Sequence, residues 1–217
     1  MDELIRNLAV YALPVLFAIT MHNAAQAYAA KYFGDLTPFA AGRVTSNPLA
    51  HIDPFGTVIL PVLLYLTTGF AFGYAKPLPI DYGRLRNPKR DMAFVALAGT
   101  AANFVMALMW LLIGIFLDYF GVSEPFPNRV AKAGVVTNLV LLAFNLLPIP
   151  PMDGGRIVFS LLPNKLAYKY ARIEPYGFFI LLGLMMLKLL QFWVLPIMAI
   201  AQILLQLIVY PLNFVLT

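Results

Sequence analysis

A histidine, two amides and an aspartate are the residues with which this otherwise apolar sequence could do chemistry. The stretch Met21-His22-Asn23-Ala24-Ala25-Gln26-Ala27-Tyr28 lies late in the first apolar run. Polar side chains at that depth are costly when unpaired, so they call for a partner or a function. Residues 22 and 26 stand at i and i+4, which places His22 and Gln26 on one helix face. The sequence holds 2 histidines, His22 and His51, and no cysteine. Asp153 follows a proline-punctuated stretch, "PIPPMDGGR", where Gly154 and Gly155 let the backbone turn tightly and approach a neighbour. Two imidazoles and a carboxylate suit a zinc ion with an open fourth position. Gln26 could add a carbonyl oxygen, a poor donor for zinc.

Each of these residues also has a plainer reading. His22 could hydrogen-bond across to a neighbouring membrane helix, and Asn103 could do the same from its own apolar run. His51, in "PLAHIDP", suits an interfacial turn. Asp153 could cap the helical stretch that follows it. The combination of the two histidines with one aspartate at membrane depth favours a metal site more than any member does alone.

The elements that must position these residues are read from composition. Of 217 residues, 61% are apolar and 12% charged, and the mean hydropathy is +0.81. A soluble domain carries about twice that charge. The apolar runs recur from end to end, so an all-α polytopic membrane protein is expected, with about five to six transmembrane helices. No repeat or low-complexity linker divides the chain. A single domain over 1–217 is expected, with its core over about 8–160 and C-terminal helices over about 176–215. The absence of cysteine excludes disulfides, thiolate metal sites and thiol catalysis. The net charge of +5 is spread over short loops, which points to membrane topology and a lipid bilayer as partner, not to nucleic acid.

The run over 56–73 decides the topology, because Pro61, Thr67, Thr68 and Gly69 interrupt it. If it dips in and returns, Lys31, Arg43, Lys76, Arg84, Arg86, Lys89, Arg90, Arg156, Lys165, Lys169 and Arg172 share one side. Arg6, Arg129, Lys132 and Lys188 then remain on the other. The positive-inside rule prefers this re-entrant arrangement over a crossing. It also brings the end of the first helix and the Asp153 turn to the same, cytoplasmic, face. Non-helical backbone at membrane depth needs protein or a water-filled cavity around it, so a dipping loop implies a cavity.

With these residues in place, the sequence resembles the site-2 protease family of intramembrane zinc metalloproteases, in particular its compact prokaryotic branch without a PDZ domain. The matching segments are "HNAAQAYAAKYFGD", "GRVTSNPLAHIDPFGT", "GYAKPLPI", "LRNPKRDMAFVALAGTAAN" and "FNLLPIPPMDGGR", in the family's order. The family motif on the first helix is His-Glu-x-x-His, with two zinc ligands and a Glu that takes a proton from water. The resemblance implies that His22 is the first ligand and Asp153 the distant carboxylate ligand. Asn23 stands at the general-base position and Gln26 at that of the second histidine. His51 is a candidate stand-in for that histidine. Gly99-Thr100-Ala101-Ala102-Asn103 keeps the asparagine of Gly-Pro-x-x-Asn and loses its proline, and the resemblance gives Asn103 a role toward substrate backbone or oxyanion. Gly73, Tyr74, Ala75 and Lys76 match a strand or short hairpin beside the active site that holds unwound substrate by strand addition.

The resemblance further implies a Zn2+ cofactor, a transmembrane protein or peptide as substrate, and a prokaryotic inner-membrane location with the site nearer the cytoplasmic face. A carboxamide cannot take a proton from water at neutral pH, so this chain is expected to be nearly or wholly inactive. Two amides in one motif fit either replaced residues in a working protease or a natural pseudoprotease.

Overall fold

The computed structural model of the chain describes residues 2–60, 62–63 and 76–216. Its regular elements are helical throughout: α1 (Asp2–Tyr32), α2 (Thr37–Ala40), α3 (Pro88–Tyr119), α4 (Pro125–Asn145), α5 (Asp153–Leu161), α6 (Asn164–Ala171), α7 (Gly177–Met186) and α8 (Gln191–Leu216). The longer helices begin where the sequence supplies start signals. Pro88 and Pro125 take first helical positions, where a missing N–H costs nothing. The Asp91 carboxylate accepts the Asn87 N–H at 2.8 Å, placing negative charge at the start of α3.

Helices α1, α3 and α4 pack against one another, α5 docks on α3, and α8 covers α4 and α3. Close approach along α1 is made possible by small side chains, since Ala18, Ala27 and Ala30 are fully buried and Ala24 nearly so. Trp110 with Val10, Val130 and Ala133 fills the layer where α1, α3 and α4 meet. Ala107, Leu139, Leu142, Ala201 and Leu205 fill that between α3, α4 and α8. Large apolar side chains such as Leu13, Val105, Ile113 and Leu207 face outward, as on a surface solvated by lipid.

Three helices among the described residues are long and apolar enough to cross a membrane, over Arg6–Tyr32, Pro88–Tyr119 and Gln191–Leu212. The candidate over 132–149 is the 21-residue α4, which carries Arg129 and Lys132 and packs centrally. The run over 176–189 forms only the 10-residue α7, about 15 Å long and too short to span. The basic stretch after Asp153 divides into the short α5 and α6 at Leu162-Pro163. No strand occurs among the described residues, and Pro54–Ile59 is a π-helical turn at the start of the run over 56–73. The expected re-entrant or hairpin segment lies mostly outside the described residues, as do Gly73, Tyr74 and Ala75.

The end of α1, the start of α3 and the start of α5 meet at one end of the bundle. Leu85 is buried there between Ala30 and Val95. Lys89 Nζ donates to the carbonyl of Leu162 and to Asn164 Oδ1, tying α3 to the α5–α6 connection.

Candidate functional site

Four helices each contribute a polar side chain to one connected cluster inside the bundle. α1 turns His22 and Gln26 inward from one face, α3 supplies Asn103, α4 supplies Asn138, and α5 opens with Asp153. His22 Nε2 lies 3.1 Å from Asp153 Oδ2. That Oδ2 is buried and makes no well-aligned hydrogen bond, so the Nε2 contact is its nearest polar approach. Gln26 Nε2 donates to Asp153 Oδ1 at 2.8 Å and lies 3.2 Å from His22 Nε2. On the far side of the ring, His22 Nδ1 and Asn103 Oδ1 are 2.6 Å apart. Arg156 Nη1, one turn along α5, is 3.6 Å from Asp153 Oδ1 and offsets its charge.

Two glycines make room for this. A Cβ on Gly99 would sit 2.7 Å from the His22 ring and 2.8 Å from Gln26 Nε2. One on Gly154 would sit 2.1 Å from the carbonyl oxygen of Leu146, so Asp153 is held close because its neighbour has no side chain. Gly99→Ala is expected to displace His22 or part α1 from α3. The cost is about 1–3 kcal/mol, typical of overpacking. A lowered unfolding midpoint and weaker metal binding would report it, and an unchanged protein on both counts would show that the ring is not confined there.

His51 is not part of this cluster. It is fully buried in the loop after α2, and its Nε2 lies 2.8 Å from the Thr45 carbonyl. Among the described residues no three His, Cys, Asp or Glu side chains come together as a metal-holding group, so His51 does not complete a His22, His51 and Asp153 set. Burial pushes its imidazole below the ordinary range, the Thr45 carbonyl works against that, and nearby Arg43 adds to it. The loop residue instead engages the backbone of Lys76. The His51 carbonyl accepts the Lys76 N–H at 3.2 Å, and buried Arg43 donates to the Lys76 carbonyl at 2.8 Å. Lys76 thus has both backbone groups engaged within the chain.

Asn103 and Asn138 are fully buried, and Asn103 has both ends of its amide engaged inside the bundle. The side chain of Asn23, half-buried next to His22, has no hydrogen-bond partner among the described residues. Asp35 carries no signal in the sequence, yet its buried carboxylate accepts the N–H groups of Thr37 and Asp81, at 2.9 and 2.8 Å. It anchors the segment after Lys76 to the end of α1. Sequence reasoning likewise misses Asn138 and Arg43. The available signal for Asn138 is a lone amide within an apolar helix.

The sequence profile of peptidase family M50 matches residues 126–188. YwhC of Bacillus subtilis is 33% identical over 177 residues, covering 79% of this chain and 78% of that protein. Rip2 of Mycolicibacterium smegmatis is 31% identical over 180 residues, covering 82% of this chain and 67% of that protein. The chain belongs to peptidase family M50. The names of both relatives class them as zinc metalloproteases, and a zinc metalloprotease of Methanocaldococcus jannaschii matches over 81 residues at 32% identity, covering 37% of this chain and 23% of that protein. These names are consistent with Zn2+ as the cofactor of the family. No solved structure matches.

Membership of M50 asks whether the polar cluster suits zinc. Zinc takes imidazole nitrogen and carboxylate oxygen readily, and His22 Nε2 and Asp153 Oδ2 converge at 3.1 Å. The unpartnered buried carboxylate oxygen is the atom a cation would satisfy. The donor set fits zinc, with two strong donors and the Gln26 amide beside them.

A half-open cavity of about 190 Å³ adjoins the cluster, lined by Tyr82, Met92, Pro150, Arg156, Phe159 and Glu174 among others. The Arg156 guanidinium lies over the Tyr82 ring at 5.0 Å. Burial holds the Tyr82 hydroxyl up at about 12, so it remains a neutral donor.

Proposed function

We propose that this chain is an intramembrane metallopeptidase scaffold of the M50 type, built to act on a transmembrane protein or peptide and lacking its general base. The observation that carries this is the meeting of His22 Nε2 and Asp153 Oδ2 at 3.1 Å inside a helix bundle. His22 and Asp153 would hold Zn2+, with Gln26 turned to offer its carbonyl oxygen as a third, weaker donor. Zinc, when bound, polarises a scissile carbonyl and makes water more acidic.

Around that position each neighbouring residue has a distinct part. Asn103 orients His22 from behind and offers no free group to substrate. Arg43 and His51 fix Lys76, and with it one end of the segment that the family resemblance assigns to unwound substrate. Gly73, Tyr74 and Ala75 precede it in the same segment. Asn23 stands where a carboxylate would take a proton from water and pass it to the leaving amine, and its amide does neither. The basic residues around Arg84, Lys89 and Lys169 support placing the site near the cytoplasmic face of a prokaryotic inner membrane.

A second reading, a non-catalytic binder of membrane helices, is favoured by one feature: Gln26 already bridges Asp153 and His22. Cleavage of a membrane-spanning peptide by the Asn23→Glu, Gln26→His variant separates the two. A variant that binds zinc and still cleaves nothing rules out the protease reading.

A further inference from the structure

The amides behind His22 form a chain of hydrogen bonds whose direction is fixed at its far end by backbone carbonyls. Asn138 Nδ2 lies 2.8 Å from the Gly134 carbonyl, which can only accept, so the Asn138 oxygen must face the other way. That oxygen meets Asn103 Nδ2 at 3.1 Å. Asn103 Nδ2 also reaches the Ala18 carbonyl at 3.3 Å, a second acceptor that independently sets the same orientation. The Asn103 oxygen therefore faces His22 Nδ1 at 2.6 Å, and an amide oxygen can only accept. The proton has to be on Nδ1.

The near end of the network gives the same answer. Gln26 Nε2 donates to the Asp153 carboxylate, and its second hydrogen is free for His22 Nε2 at 3.2 Å. A nitrogen that faces a donor carries a lone pair. Both ends place a hydrogen on Nδ1, and the Nε2 lone pair then faces Asp153 Oδ2 at 3.1 Å, two lone pairs that a cation between them would reconcile.

We propose that Asn138 is a positioning residue for the metal centre: through Asn103 it holds His22 in the Nδ1–H tautomer and keeps Nε2 as the donor lone pair. It touches neither the metal position nor substrate, and both amides are fully buried. Groups of this kind, bonded to the second nitrogen of a ligating imidazole, fix its tautomer and its aim. The zinc-affinity part rests on the reading of His22 as a zinc ligand, whereas the tautomer part does not.

The test uses the full chain in lipid nanodiscs, stripped of metal and 15N-labelled. With 2 histidines in the sequence, the imidazole signals are assigned by one His22→Leu control. In the parent, His22 is expected as the Nδ1–H tautomer. In Asn138→Leu, only the longer bond to Ala18 holds Asn103, so the tautomers mix and the zinc Kd rises about 10–100-fold. Asn138→Asp keeps an acceptor toward Asn103 and, when protonated, a donor toward Gly134, and is expected to restore the parent tautomer and affinity. An Nε2–H tautomer in the parent overturns the proposal without any variant. So does a folded Asn138→Leu protein with unchanged tautomer and unchanged zinc affinity. A parent with the Nδ1–H tautomer that loses it in Asn138→Leu upholds the relay even if it takes up no zinc, and then only the zinc reading of the site falls.

Discussion

Asn23→Glu combined with Gln26→His is expected to raise cleavage of a membrane-spanning peptide by at least about 10²-fold, the lower end of what general-base catalysis contributes. The Asn23 amide has no basic lone pair at neutral pH, and asparagine is one methylene shorter than glutamate's isostere, so it neither takes the proton nor reaches where glutamate would. Its side chain is half-buried and has no hydrogen-bond partner among the described residues, so no existing bond is broken by replacing it. The two changes do different things. Asn23→Glu alone supplies a base beside a metal still held by two strong donors. Gln26→His alone should tighten zinc without supplying a base. Residues that act as a unit are strongly non-additive, so the double variant should exceed the product of the single ones. A double variant no more active than the parent, with zinc bound, contradicts this account of position 23.

Asp35→Ala is expected to have the largest structural effect outside the metal centre. Its carboxylate accepts two backbone N–H groups, and hydrogen bonds to a charged group contribute about 1.5–3 kcal/mol each. Thr37 and Asp81 are partly reachable by water, which recovers some of that loss, so a net destabilisation of about 2–4 kcal/mol is expected. The second of these bonds is what ties residue 81 to the end of α1. Amide exchange at Asp81 and its neighbours should therefore accelerate before the helices themselves open. Unchanged exchange there, together with an unchanged unfolding midpoint, would show that the segment is held by its apolar contacts at Ile80 and Tyr82 instead.

The shared face of His22 and Gln26 is legible in the sequence because helical spacing is local, whereas their meeting with Asp153 is long-range and rests there on topology and the family resemblance. Helical spacing puts His22 and Gln26 on one face, and prolines followed by Asp-Gly-Gly mark where a helix has to end and turn. His51 misleads for the complementary reason. Histidine is a good metal ligand by type, but whether it arrives at the metal depends on a loop path that no periodicity encodes. The loop buries it against Thr45 and uses its carbonyl to hold Lys76.

Asn138 is invisible as a participant because its partner, Asn103, sits on another helix and the pairing is set by how α3 and α4 cross. The run over 176–189 is apolar enough to suggest a span, yet its helix stops early. Lys188, with a left-handed φ of 57°, lies just after α7, and the chain turns there into α8. Hydropathy counts apolar residues but does not see where a helix ends.

The most direct measurement is the zinc content of the purified full chain beside that of His22→Leu, with unfolding monitored on both. About one zinc per chain in the parent and none in the variant is the predicted result, since a single tetrahedral site cannot survive the loss of its only imidazole. A parent that takes up no zinc, or a folded His22→Leu protein that holds as much as the parent, would contradict the metal centre assigned to His22 and Asp153.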